Sequence, residues 1–280
     1  MKHTFFPLFR KESPMWENIP VIDAHCHTYP EKIAEKASGG TDAFYGTVAA
    51  HRGTPAELLT LDERIDLFLI ESVATTPKQV RHINEFLAQT AASSPRFRAL
   101  GALHPDSPDQ AGDMEHLLEL GLMGVKLHPD IQQFAVDDPR CLKIYELCGK
   151  AGIPVLLHTG DKRYDYSNPN RFLPVLKAYP HVTFIGAHFG GYSVWEKAVP
   201  LLAGTPNLYT DLCSSMQWIT PEETVSYIHA YGADRVMFAT DYPMWDPETC
   251  LDAVLALDLS REELELILHK NAERLFKLEK

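Results

Sequence analysis

Short runs of β-branched and apolar residues alternate along this chain with longer amphipathic stretches. Eight runs read as strands, at 21–27, 66–73, 97–104, 124–128, 153–158, 182–188, 207–212 and 236–241. Helical patterns fall between and after them, at 77–92, 110–120, 139–151, 170–179, 221–231, 246–257 and 260–278. Pro77, Pro139, Pro221 and Pro247 sit where first helical turns accept proline, and Gly121, Gly152 and Gly232 sit where helices end. Ser260 and Glu263 form a capping-box pattern at the start of the last helix.

Eight strand–helix repeats predict an α/β protein of the (β/α)8 TIM-barrel type. A doubly wound open sheet would need a glycine-rich phosphate turn after an early strand, and the sequence has none. The expected organisation is one barrel domain at 20–280 behind an N-terminal arm at 1–19. The stretch 28–60, with Gly39, Gly40, Gly46 and Gly53, is longer than one crossover helix needs. It is expected to be an irregular insertion over the barrel mouth.

Barrel enzymes build their sites at the C-terminal ends of the strands. Here the strand ends carry metal-ligand residue types. Strand 1 closes with His25 and His27, which share a strand face. Later strands end in His104, in Lys126 and His128, in His158, in His188, in Asp211 and in Asp241. Each alone has an ordinary reading as a loop or capping residue. Together, six of the thirteen histidines fall at strand ends, and neutral imidazoles with a carboxylate suit a divalent ion.

Net charge is −12, which disfavours nucleic acid and anionic membranes as partners and leaves a small-molecule substrate. The five cysteines are odd in number and contain no C-x-x-C, so they read as packing residues in a reducing, cytoplasmic setting. Cys26, between the two histidines, should face the barrel–helix layer. No apolar stretch has membrane-spanning length. The barrel mouth is also open to use as a homo-oligomer surface.

The runs Ile22-Asp23-Ala24-His25-Cys26-His27, Gly124-Val125-Lys126-Leu127-His128-Pro129, Gly186-Ala187-His188-Phe189-Gly190-Gly191 and Thr240-Asp241-Tyr242-Pro243 resemble the amidohydrolase superfamily, in its amidohydrolase 2 branch. That resemblance implies a divalent metal, with zinc first and Mn, Fe, Co or Ni also compatible. His25, His27, His158 and Asp241 would bind it. His188 would ligate a second ion, or polarise and move protons beside a single one. Lys126 would bridge two ions if carbamylated, or stay free as a cation for a substrate carboxylate. Asp241 would also take the proton from an attacking water. The branch holds hydrolases, lactonases and non-oxidative decarboxylases. Hydrolysis of an amide, ester or lactone of a small organic acid is the first expectation, decarboxylation the second, and a non-catalytic ligand-binding barrel the third. From their positions beside strand ends, His128, Arg163, Tyr164 and Trp195 are candidate substrate contacts.

Overall fold

A computed structural model describes residues 16–278. Most of the expected N-terminal arm, 1–15, lies outside the described residues. Of its remainder, Trp16 and Ile19 lie against the core.

Parallel strands follow one another in chain order: β1 (Ile22–His27), β2 (Leu67–Glu71), β3 (Phe97–Ala99), β4 (Gly101–Ala102), β5 (Val125–Leu127), β6 (Val155–Leu157), β7 (Phe184–Gly186), β8 (Leu208–Asp211) and β9 (Val236–Met237). The run expected as one strand at 97–104 is divided at Leu100. Below it, β3 pairs with β2; above it, β4 pairs with β5. The Leu100 and Gly101 N–H groups donate to Ile70 and Gly124 carbonyls, so the segment changes partner in mid-course and joins the two sheets. The other side closes through backbone bonds from Ala24 to Phe238, from His27 to Tyr242 and from Asp241 to His25. Buried Asp23 strengthens that seam, because its carboxylate accepts from the Thr240 N–H at 3.0 Å and the Thr240 hydroxyl at 2.6 Å. The architecture is the expected TIM barrel.

Strand alternation divides the core. Leu69, Leu156, Ile185, Tyr209 and Met237 fill an inner cluster, closed by Ala272 and Phe276 of the last helix. Their neighbours Phe68, Ile70, Val155, Leu157, Phe184 and Val236 face the helices. In β1 the alternation changes phase. Ile22 and Ala24 belong to the inner cluster, yet Cys26 belongs to the outer layer. The register against β2 shifts between Asp23 and Cys26, as at a β-bulge. That shift lets His25 and His27 face inward after Ala24 has done so.

Two elements depart from expectation. The insertion at 28–60 is more ordered than its glycines suggest. It holds a helix, Ala34–Tyr45, ended by Gly46 in the left-handed conformation that a C-cap favours, and a short turn, Pro55–Leu58. The last helix is interrupted by a π-helical stretch at Leu266–Lys270. No helix among the described residues is long and apolar enough to cross a membrane.

Candidate metal centre

His25 is fully buried, and both its ring nitrogens are engaged. Nδ1 lies 3.0 Å from Asp211 Oδ2. Since a carboxylate accepts, the proton sits on Nδ1 and the Nε2 lone pair is directed into the barrel mouth. There His25 Nε2 lies 3.3 Å from His27 Nε2, 3.0 Å from Glu71 Oε1 and 3.5 Å from Asp241 Oδ1. His27 Nε2 is also 3.5 Å from Asp241 Oδ1 and 3.8 Å from Glu71 Oε1.

These spacings are those of a coordination shell. Metal–ligand bonds of about 2.0–2.2 Å put tetrahedral ligand atoms about 3.4 Å apart. Burial, and then Lys126, drive the pKa values of His25 and His27 well below the usual histidine range, so both are neutral ligands. Glu71 Oε2 is sealed from solvent with no hydrogen-bond partner, while Oε1 is met by Lys126 Nζ at 2.9 Å. A buried carboxylate left so is costly unless a cation completes it. Burial pushes the carboxyl of Glu71 up to about 7 and that of Asp241 up to about 6, against the pull of Lys126 on each. The residues present therefore fit a divalent ion.

Lys126 Nζ already lies 2.9 Å from Glu71 Oε1 and 2.6 Å from His25 Nε2. Asp211 ties two walls of the site together, accepting from the His188 backbone N–H at 2.8 Å through its second oxygen. Cys213 lies with Sγ 3.0–3.3 Å from Asp211, His25 and His188, so this cysteine belongs to the site as well as to the packing.

His158 and His188 stand on the other side of the mouth. His188 Nδ1 donates to the Cys213 carbonyl at 2.9 Å, which leaves its Nε2 lone pair facing His158 Nδ1, also at 2.9 Å. Burial holds the His188 pKa down at about 4. His158 stacks on His128 with ring centroids 4.0 Å apart, and both Nε2 atoms meet the Tyr45 hydroxyl, at 3.2 and 2.9 Å. Asp130 Oδ2 lies 3.7 Å from His158 Nε2. His25, His27 and Asp241 therefore gather at one point, while His158 groups with His128 and Asp130 on the other side of the mouth. Asp241 and His188 hold positive φ angles of 60° and 61°. Left-handed backbone at a non-glycine residue costs about 1–3 kcal/mol and recurs where a side chain must be aimed.

The cavity, about 700 Å³, is lined by His25, His27, Lys126, His128, His158, His188 and Asp241. Arg163, Tyr164 and Trp195, expected as substrate contacts, are not among its lining residues. Arg163 is held bidentately by Asp161, donates to the Phe44 carbonyl and lies over the Phe44, Tyr45 and Tyr164 rings. Trp195 donates to the His188 carbonyl at 3.0 Å and so supports that residue from behind. His104 accepts from the Asp106 N–H as a turn residue. Sequence reasoning did not single out Glu71, Asp130 or Tyr45.

Comparison with known proteins bears on the family and the fold. A profile of the amidohydrolase family matches residues 22–278. The 2-amino-3-carboxymuconate-6-semialdehyde decarboxylase of Dictyostelium discoideum is 26% identical over 201 residues, covering 58% of this chain and 56% of that protein. The chain thus matches little more than half of that relative's length. An uncharacterized TIM-barrel protein from Bordetella bronchiseptica superposes with a TM-score of 0.74 at 24% identity, over 92% of this chain and 98% of that one. A dihydroxybenzoic acid decarboxylase from a Polaromonas species, solved with manganese and 2-nitroresorcinol, gives 0.68 at 18% identity, over 93% and 98%. These structural likenesses show the barrel fold.

Proposed function

We propose, since this chain belongs to the amidohydrolase family, that it is a metal-dependent, non-oxidative decarboxylase of an unsaturated or aromatic carboxylic acid. The expectation of hydrolysis gives way to this reading. The observation that carries it is the contact between Lys126 and Glu71. A bridged two-ion hydrolytic centre needs the lysine amine free to take up carbon dioxide, whereas Nζ here lies 2.9 Å from a buried carboxylate. One ion and a lysine kept as a charged side chain suit decarboxylation. The names of the Dictyostelium and Polaromonas relatives support the same reaction class.

His25, His27 and Asp241 would hold the ion, with Glu71 beside them and His158 on the other side of the mouth. When bound, the ion supplies positive charge that orients and polarises the acid. Zinc and manganese both suit this donor set. The remaining work falls to the chain. Asp211 fixes the His25 tautomer, and the Cys213 carbonyl fixes that of His188. Loss of carbon dioxide breaks the carbon–carboxyl bond and leaves an electron pair on carbon, which must take a proton. That proton comes from solvent, and the Nε2 lone pair of His188, facing His158 Nδ1, is the relay that would pass it to the carbon. Phe44, Met244 and Trp245 in the cavity wall keep water from the reacting carbon.

The test is to incubate the metal-loaded protein with unsaturated and aromatic acids, such as 2,6-dihydroxybenzoate, and separately with esters and lactones of such acids, in D2O and in 18O-labelled water. Decarboxylation releases carbon dioxide and leaves one deuterium on the carbon that bore the carboxylate, with no 18O in the organic product. Appearance of 18O in a new carboxylate, without carbon dioxide, would overturn the reading.

A further inference from the structure

The cavity extends beyond the ligand cluster. Its volume of about 700 Å³ falls in the range of about 300–1,000 Å³ that encloses drug-sized molecules. The inner end is polar. The outer end runs between two helices, Ala34–Tyr45 and Val80–Ser93. The first contributes Ala37, Gly40 and Phe44, just after Ile33, and the second contributes Ile83 and Phe86. Spacings of three and four make each set a single helical face. Ile33 is 49% exposed, and Ile83 and Phe86 are half-buried, so this is apolar surface turned to the cavity.

Gly40 stands in the middle of the first face. Its backbone does not need glycine, because its φ is not positive. Within a helix glycine is worth about 1 kcal/mol less than alanine. A Cβ built there would meet nothing within 4 Å. What the missing side chain leaves is open space in the outer arm.

We infer that this outer arm binds the apolar tail of the substrate. The substrate is then an amphipathic carboxylic acid bearing an extended hydrocarbon or aryl-alkyl group, rather than a single-ring benzoate. The occupant follows from continuity, since the arm opens into the same cavity as His25, His27 and Asp241. The chemistry of the head rests on the decarboxylase reading; the tail arm rests on the cavity's shape.

The experiment is calorimetric titration of the metal-loaded full chain with ω-phenylalkanoates, from benzoate to 6-phenylhexanoate. Burial of each methylene is worth about 0.8 kcal/mol, so affinity should rise about fourfold per methylene until the arm is full. Gly40→Phe should flatten that gradient. Gly39→Phe, at a neighbouring position that also has open space but does not line this cavity, should keep it. Ile83→Gln, on the opposing helix, provides a second route to the same loss. Equal affinity across the series for the unaltered protein, or an unchanged gradient in both Gly40→Phe and Ile83→Gln, overturns the inference. Tail-dependent binding of these acids, together with no carbon dioxide from the unsaturated and hydroxylated aromatic acids of the D2O assay, leaves the arm standing and removes the decarboxylase reading. Decarboxylation of short acids with no dependence on tail length does the reverse.

Discussion

The floor and the roof of the cavity are held in different ways. On the floor, His25, Glu71, Lys126 and Asp211 are sealed from solvent, and each lies within 3.0 Å of another polar group. In the roof, helix Ala34–Tyr45 buries only Ala34 and Ser38 and carries two glycines. Near its C-terminal end it reaches the barrel through the Tyr45 hydroxyl, and Arg163 holds the Phe44 carbonyl. The floor fixes ligand geometry through interlocking polar contacts, whereas few contacts fix the roof. Changes to the floor should therefore alter metal binding and rate, and changes to the roof should alter access.

The largest effect should come from Asp241→Asn. Losing a ligand carboxylate should lower kcat/KM by at least the factor of about 10²–10³ typical of removing one charge-stabilising group. Elemental analysis should find less metal per chain, and unchanged activity would break the assignment of Asp241 to the floor. Asp211→Asn comes next. It keeps the shape but leaves the His25 tautomer undirected, so metal affinity should weaken about 10–100-fold in competition with a fluorescent chelator. Thr240→Val tests the seam under the floor. Buried Asp23 would lose its hydroxyl partner, at a cost of about 1–3 kcal/mol in denaturant unfolding. Arg163→Ala should have the smallest effect on turnover, with KM up about threefold and kcat nearly unchanged, while about 1–3 kcal/mol of stability is lost because buried Asp161 loses its bidentate partner. A collapse of kcat in that variant would turn the comparison around and make Arg163 a substrate contact after all.

Why the sequence disclosed the floor better than the roof follows from periodicity. Strand ends recur and side chains alternate, so His25, His27, Lys126, His188 and Asp241 could be located from their strands. Glu71 was visible by the same rule, because it shares a face with Leu69 two residues earlier. It lies inside the 66–73 run, two residues short of its end, so a search confined to strand ends does not reach it. Counting in twos would have gone astray in β1, where the register shift between Asp23 and Cys26 brings Ala24 and His25 to the same side. Nothing periodic links Tyr45 to His128, since their meeting depends on how an insertion folds back. Arg163, Tyr164 and Trp195 stand apart from the cavity lining for a related reason. They follow strand ends closely, but closeness along a loop does not set direction, and Asp161 turns Arg163 toward the roof helix instead.

The seam has a consequence for how the protein comes to exist. The proposed ligands it brings together begin at residue 25 and end at residue 241, and Asp23 closes on Thr240 across 217 positions. During synthesis the first two histidines emerge early, with neither their carboxylate partner nor the last strand yet made. A nascent chain can capture the ion at full strength only after the last strand has left the ribosome, so metal loading is tied to completion of the barrel.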